Sequence, residues 1–125
     1  MIIKVRTNAR REMVDITDKV AAALEGSDDG FCHVFVPHTT AAVVINESAD
    51  PDVARDLVAA YGAMVPPVPF AHAEGNSDAH LLATVLGSSV MVPVVGGRLC
   101  LGTWQGIFFV ELDGPRSRKV RVTRI

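Results

Sequence analysis

The last third of the chain most narrows what it can fold into. From Ser89 onward, apolar runs of strand length are separated by paired turn residues. One run reaches Val95, the Gly96-Gly97 turn follows, the chain goes out through Thr103 and back through Leu112, and Asp113-Gly114 leads to a last run from Val120 to Thr123. This pattern predicts an antiparallel meander. Upstream, helical and strand periodicities are mixed without strict alternation, which predicts an α+β domain of antiparallel β-sheets and about three helices rather than a wound parallel sheet. The 125 residues contain no repeat or linker, so residues 1–125 are read as one domain. A (β/α)₈ barrel, which needs upward of about 200 residues, is excluded.

Ile2 to Arg6 reads as a first strand. Asp15 or Thr17 can cap a helix in which Ile16, Val20 and Leu24 recur every four residues and which Gly26 stops; Asp28, Asp29 and Gly30 then turn the chain. Phe31 to Val36 and Ala41 to Asn46 are β-rich, and the intervening Pro37 ends the first run, which puts His38 at a strand end. Asp50-Pro51-Asp52 is a cap followed by proline at the first helical position, with Val53, Leu57 and Tyr61 on one face. Pro66, Pro67 and Pro69 forbid that helix from continuing. Ser77 can cap a third helix through Leu86, with Leu81, Leu82 and Val85 as its apolar face and Gly87 at its exit.

Apolar residues make up 49% of the sequence and mean hydropathy is +0.29, high for so small a domain. Part of that surface is expected to meet another subunit, which predicts a homo-oligomer. A net charge of −2 gives no general electrostatic reason to bind nucleic acid or an anionic membrane. Its distribution is uneven: Glu47 to Asp78 holds six acids against Arg55, whereas Gly114 to Ile125 holds five bases and no acid. No signal-like stretch or membrane-length apolar window occurs, so the chain is expected to be cytoplasmic. Cys32 and Cys100 stand alone in apolar runs and are expected to be buried free thiols.

The segment from His72 to His80 packs two imidazoles, Glu74, Asp78 and Asn76 into nine residues. Neutral imidazole with carboxylate is the donor set that divalent transition metals take, so His38, His72 and His80 are candidate metal ligands. Glu47, Asp78 and His80 are candidate acid/base groups, the carboxylates also suiting the role of hydrogen-bond partners to ligand imidazoles. The same residues would equally serve a solvated loop with a plain helix cap. His33, between Phe31 and Phe35, reads as a structural side chain.

Gly75-Asn76-Ser77 leads into a helix N-terminus, whose unpaired N–H groups can hold phosphate. Thr39, Thr40, Arg98 and Arg116 could add donors. Trp104, between Gly102-Thr103 and Gln105-Gly106, could wall a ring-shaped ligand, although a lone tryptophan is more often core or interface. The glycines match neither a P-loop nor a dinucleotide fingerprint.

The blocks VPHTTAAVVINESADPDVARDL, HAEGNSDAHLLATVLGSS and GGRLCLGTWQGIFFVELDGPRSRKV together resemble the YjbQ family, described as secondary thiamine-phosphate synthases, from Asp15 to the C-terminus. The family's polar positions are matched at His38, Thr39, Thr40, Asn46, Glu47, His72, Glu74, Asn76, Asp78, His80, Arg98, Trp104 and Gln105. The resemblance implies an α+β homotrimer about a three-fold axis. It also implies condensation of hydroxymethylpyrimidine diphosphate with thiazole phosphate, releasing pyrophosphate, either as the main reaction or as a side activity. Substrate or phosphate contacts would fall to Thr39, Thr40, Asn76, Arg98, Trp104, Gln105 and Arg116, with a divalent zinc, manganese or magnesium ion beside them. The competing expectations are a metal-dependent hydrolase of a small phosphorylated metabolite and a non-enzymatic metabolite- or metal-binding trimer.

Overall fold

The computed structural model describes residues 1–26 and 28–125. In chain order the elements are β1 (Ile2–Arg6), β2 (Glu12–Asp15), α1 (Thr17–Ala23), β3 (Gly30–Phe35), β4 (Ala41–Glu47), α2 (Pro51–Ala63), α3 (Ser77–Leu86), β5 (Ser89–Val95), β6 (Arg98–Leu99), β7 (Gln105–Glu111) and β8 (Ser117–Arg124). The expected α+β class with three helices is what forms. One sheet has the order β1-β8-β3-β5-β6 and a smaller one the order β2-β7-β4, every pairing antiparallel.

Alternation along the strands builds three layers. Val5, Val34, Val92, Val120 and Val122 point from the five-stranded sheet at Ala41, Val43, Ile107 and Phe109 of the three-stranded one, and Ile16, Val20 and Ala23 join that core. The alternate residues of β4 and β7, Ala42 and Val110, point the other way and meet Tyr61 of α2 and Ala79 and Leu82 of α3. Among the described residues nothing covers the outer face of the five-stranded sheet in this way. Phe31, Phe35, Met91 and Val95 are exposed there, and the His33 ring stacks on Phe35 with centroids 6.3 Å apart.

The capping signals act where they were expected at α2, whose Asp50 side chain accepts the Asp52 N–H with Pro51 at the first position. At α1, Asp15 takes the Thr17 N–H and hydroxyl. The α3 expectation needs correcting. Asn76 holds the cap position without a side-chain cap bond, and the packed face is Ala79, Leu82, Ala83 and Leu86, leaving Val85 57% exposed. Cys32 is buried, and burial pushes its thiol pKa up, but Cys100 is exposed beyond the sheet-edge strand β6.

The meander is also corrected. β5 and β6 form the expected Gly96-Gly97 hairpin, but β7 pairs with β2 and β4 while β8 pairs with β1 and β3, so Asp113–Arg116 carries the chain from one sheet to the other. Chain from the exit of β1 occupies the place where a hairpin would close. Thr7 N–H donates to Arg116 O, and Gly114 N–H donates to Arg10 O. A Cβ on Gly114 would lie 2.5 Å from Ala9 O and 2.7 Å from Glu111 Cγ, so only glycine permits this approach. No helix among the described residues is long and apolar enough to cross a membrane.

At this corner the core holds a charge pair. Glu111, fully buried, receives Arg118 Nε at 2.9 Å and Nη2 at 2.5 Å, together with the Thr7 hydroxyl and the Leu112 and Asp113 amides. Arg118, 4% exposed, also reaches the carbonyl and hydroxyl of Thr40. Burial works to raise the Glu111 carboxyl, yet the bonds from Arg118, Thr7 and Asp113 outweigh it and hold the group below its ordinary 4.5. Arg118→Met leaves that carboxylate buried without its cation and should cost roughly 3–5 kcal/mol in denaturant unfolding. The double variant Glu111→Leu with Arg118→Met should recover most of that loss; equal losses in single and double variants would show that the pair is not the source.

Candidate functional site

The β3–β4 connection delivers His38, Thr39 and Thr40 to one end of the sandwich because Pro37 stops β3 there and β4 starts again at Ala41. Facing them are His80 on α3, His72, Glu74 and Asn76 from the loop before it, and Arg116 and Arg118 from the β7–β8 corner. These residues line a cleft of about 540 Å³. A smaller lobe, sharing His38, Thr39 and His80, extends along Ala83 and Thr84 of α3.

The His72 and His80 rings meet edge to face with centroids 5.5 Å apart, and His72 Nε2 lies 4.0 Å from Glu74. His38 is set differently. Its Nε2 accepts the Lys119 backbone N–H at 3.0 Å, so the neutral ring carries its proton on Nδ1 and presents a donor there. Burial, then the Arg118 charge, lowers the His38 pKa from its ordinary 6.5, keeping the ring neutral at pH 7. Arg116 uses Nε and Nη2 on Asp113 and has Nη1 left over. Asn76 gives Nδ2 to Asp113, and among the described residues no side chain caps the first amides of α3.

Several expected members of the site lie elsewhere. β4 advances about 3.3 Å per residue, so Glu47 at its far end stands roughly 20 Å from Thr40. Gln105 pairs with Glu47, and Trp104, 63% exposed, is next to it; both share that remote end. Arg98 lies on the edge strand β6 opposite Val95. Asp78 is turned from the cleft: Arg10 and Arg11 hold its Oδ2 at 2.9 and 2.5 Å. The metal reading meets a geometric conflict as well. His38 has committed its lone pair to Lys119, and among the described residues no three His, Cys, Asp or Glu side chains are grouped to hold an ion. The three histidines share a cleft but do not, as arranged, fit a divalent ion.

Two inward-facing charges that residue type alone did not single out underlie this end of the sandwich, Arg118 in the lining of the cleft and Glu111 buried behind it. Arg118 and Glu111 fall at inward positions of alternating strands, where a charged residue signals a buried partner, and Asp113 anchors both Asn76 and Arg116.

The profile of the family described as UPF0047 protein YjbQ-like matches residues 1–125. The chain belongs to the YjbQ/UPF0047 family. The UPF0047 protein YugU of Bacillus subtilis is 45% identical over 120 residues, covering 93% of this chain and 91% of that protein. A UPF0047 protein of Methanocaldococcus jannaschii is 45% identical over 122 residues, 95% of this chain and 88% of its own length. The crystal structure of a YjbQ/UPF0047 family protein from Clostridium acetobutylicum superposes with a TM-score of 0.95 at 46% identity, covering all of this chain and 99% of that one. These likenesses fix family and fold, and none of the names states a substrate.

The His38 geometry gives this family member a distinctive titration. A group whose pKa is depressed on folding adds stability above its unfolded value, and that contribution is lost as pH falls toward the folded value. NMR titration should therefore give His38 a midpoint below 6.5 with the neutral proton on Nδ1. A midpoint above 6.5 would contradict the effect of burial and the Arg118 charge, and a neutral Nε2–H form would contradict the Lys119 contact.

Proposed function

We propose that the histidine-lined cleft binds a small phosphorylated metabolite and acts on it by displacement of a phosphate or diphosphate. The supporting observation is the meeting of Thr39, His72, His80, the Nδ1–H of His38 and the spare Nη1 of Arg116 around one opening, beside the uncapped start of α3. Donors of this kind stabilise charge that grows on phosphate oxygens as a bond to them breaks. With the family's suggested substrates, a C–N bond to the thiazole forms as the C–O bond to the diphosphate breaks, and pyrophosphate leaves with both electrons of that bond. Arg116 and the imidazole N–H groups would receive its charge. Hydrolysis would use the same donors with water in place of the thiazole.

Assembly as a homotrimer belongs to this reading. The bare outer face of the five-stranded sheet, with Phe31, Phe35, Met91 and Val95, is an apolar surface of the kind that subunit contacts cover. Sedimentation at three times the 13.3 kDa chain mass would support it, and a monomer would end it.

The activity test combines hydroxymethylpyrimidine diphosphate with thiazole phosphate and measures pyrophosphate. His38→Ala and His80→Ala are each expected to slow release by about a hundredfold, the usual scale for a positioned acid–base or charge-stabilising group. Phosphate or pyrophosphate released without thiazole phosphate would assign a hydrolase; tight binding without turnover would assign a binding protein. Full activity in both variants would remove the cleft from the chemistry. Elemental analysis of the same preparations tests the divalent ion separately: zinc, manganese or magnesium present in wild type and lost in both variants supports it, and equal content in all three overturns it.

A further inference from the structure

A second cavity, of about 530 Å³, opens where α2 leaves part of the three-stranded sheet uncovered. Its volume falls within the range of small-ligand sites. The floor is apolar: Phe108 and Met13 project from the outer face of the sheet, and Ala54 and Val58 face them from α2. Phe108 is 5% exposed, so the little of it that is open belongs to this floor.

The rim has a definite sign. Glu12, Asp15, Glu47 and Asp50 all line the cavity. Three of them commit one oxygen locally, to the Asn8 N–H, to Thr17 and to the Asp52 N–H respectively for Glu12, Asp15 and Asp50. Glu47, half-buried at the end of β4, has its backbone N–H on Asn46, and among the described residues no side-chain hydrogen bond or ion pair engages its carboxylate. The two arginines in the lining are drawn to acids outside it, Arg11 to Asp78 and Arg55 to Asp52. The space is left with carboxylates around an apolar base and no cation committed to them.

We propose that this cavity binds a small organic cation, an amine carried on a flat apolar body, with the body on Phe108, Met13 and Val58 and the charge beside Glu47. Burial of the ring against the floor supplies non-directional affinity, and the rim selects the charge. The site is separate from the histidine cleft, at the opposite end of β4, and does not depend on the function proposed there.

The probes are phenethylamine, its neutral counterpart 2-phenylethanol and the anion 3-phenylpropionate, each titrated into the full chain while methyl NMR signals of Met13 and Val58 are followed. The amine should shift both signals and bind about threefold to tenfold tighter than the alcohol, the scale of one or two partly exposed ion pairs. The anion should bind weakest. Glu47→Gln, isosteric and at a half-exposed position, should bring amine and alcohol close to equal, and Ala54→Trp should fill the cavity and abolish the shifts. If Ala54→Trp does not fold, the comparison of probes in Glu47→Gln stands alone. Equal affinity for the three probes would overturn the proposal. So would shifts confined to the His38 cleft, or no shift at millimolar probe because a second copy of the chain covers the opening.

Discussion

The buried pair between Glu111 and Arg118 is the contact on which the site end of the molecule depends. The two residues belong to strands in different sheets, and their side chains meet in the space between them. A carboxylate in that setting is tolerable only with its oxygens fully bonded, and five donors converge on this one: two from Arg118, one from Thr7 and the amides of Leu112 and Asp113. Each donor comes from a segment that must then hold its place. Arg118 passes the constraint on to Thr40, and the next residue, Lys119, gives its amide to His38. The orientation of the cleft's first histidine thus follows from a charge pair in the core.

The same network explains why β7 and β8 part company. A hairpin at Asp113-Gly114 would bring their backbones side by side, and Thr7 could not then reach both Glu111 and Arg116. The corner trades ladder bonds between β7 and β8 for the closure of one end of the sandwich. That end becomes polar and indented, whereas the middle, with Val34, Val43, Val92 and Phe109, is closely packed hydrocarbon. Burial and opening are divided along the strands, which is how a chain of 125 residues keeps a core and still presents a cleft.

Local chemistry was legible in the sequence, and long-range pairing was not. Asp50-Pro51 defined the start of α2, and Gly96-Gly97 defined the β5–β6 hairpin, because a cap or a tight turn is decided by residues in direct succession. β2 is not legible because Glu12–Asp15 has no apolar alternation of its own; pairing with β7 makes it a strand. His38, Thr39, His72, Asn76, His80 and Arg116 were singled out from residue type and do share one cleft. Residue type adds Glu47 to them, and the family resemblance adds Trp104 and Gln105; what separates these three is the length of β4, a distance that motif spacing does not encode. Asp78 shows the remaining limit: an acid in the first turn of a helix suits catalysis, capping or an ion pair alike, and Arg10 and Arg11, some sixty-seven positions earlier, decide among these.

Arg11 also shows how little chain is needed to tie the outer layer together. Its Nη2 holds Asp78 on α3, and its Nη1 lies where a Cβ on Gly62 of α2 would be 2.8 Å away. One guanidinium therefore spans both helices from the loop that enters β2, and the absence of a side chain at residue 62 gives it room. Because α3 carries His80, the angle at which that ring meets the cleft is set partly by this arginine, although Arg11 itself is not among the residues that line the cleft. An aliphatic side chain could fill the same space between the helices, but it would leave Asp78, whose other oxygen is already buried without a partner, with only the more exposed Arg10 to balance its charge.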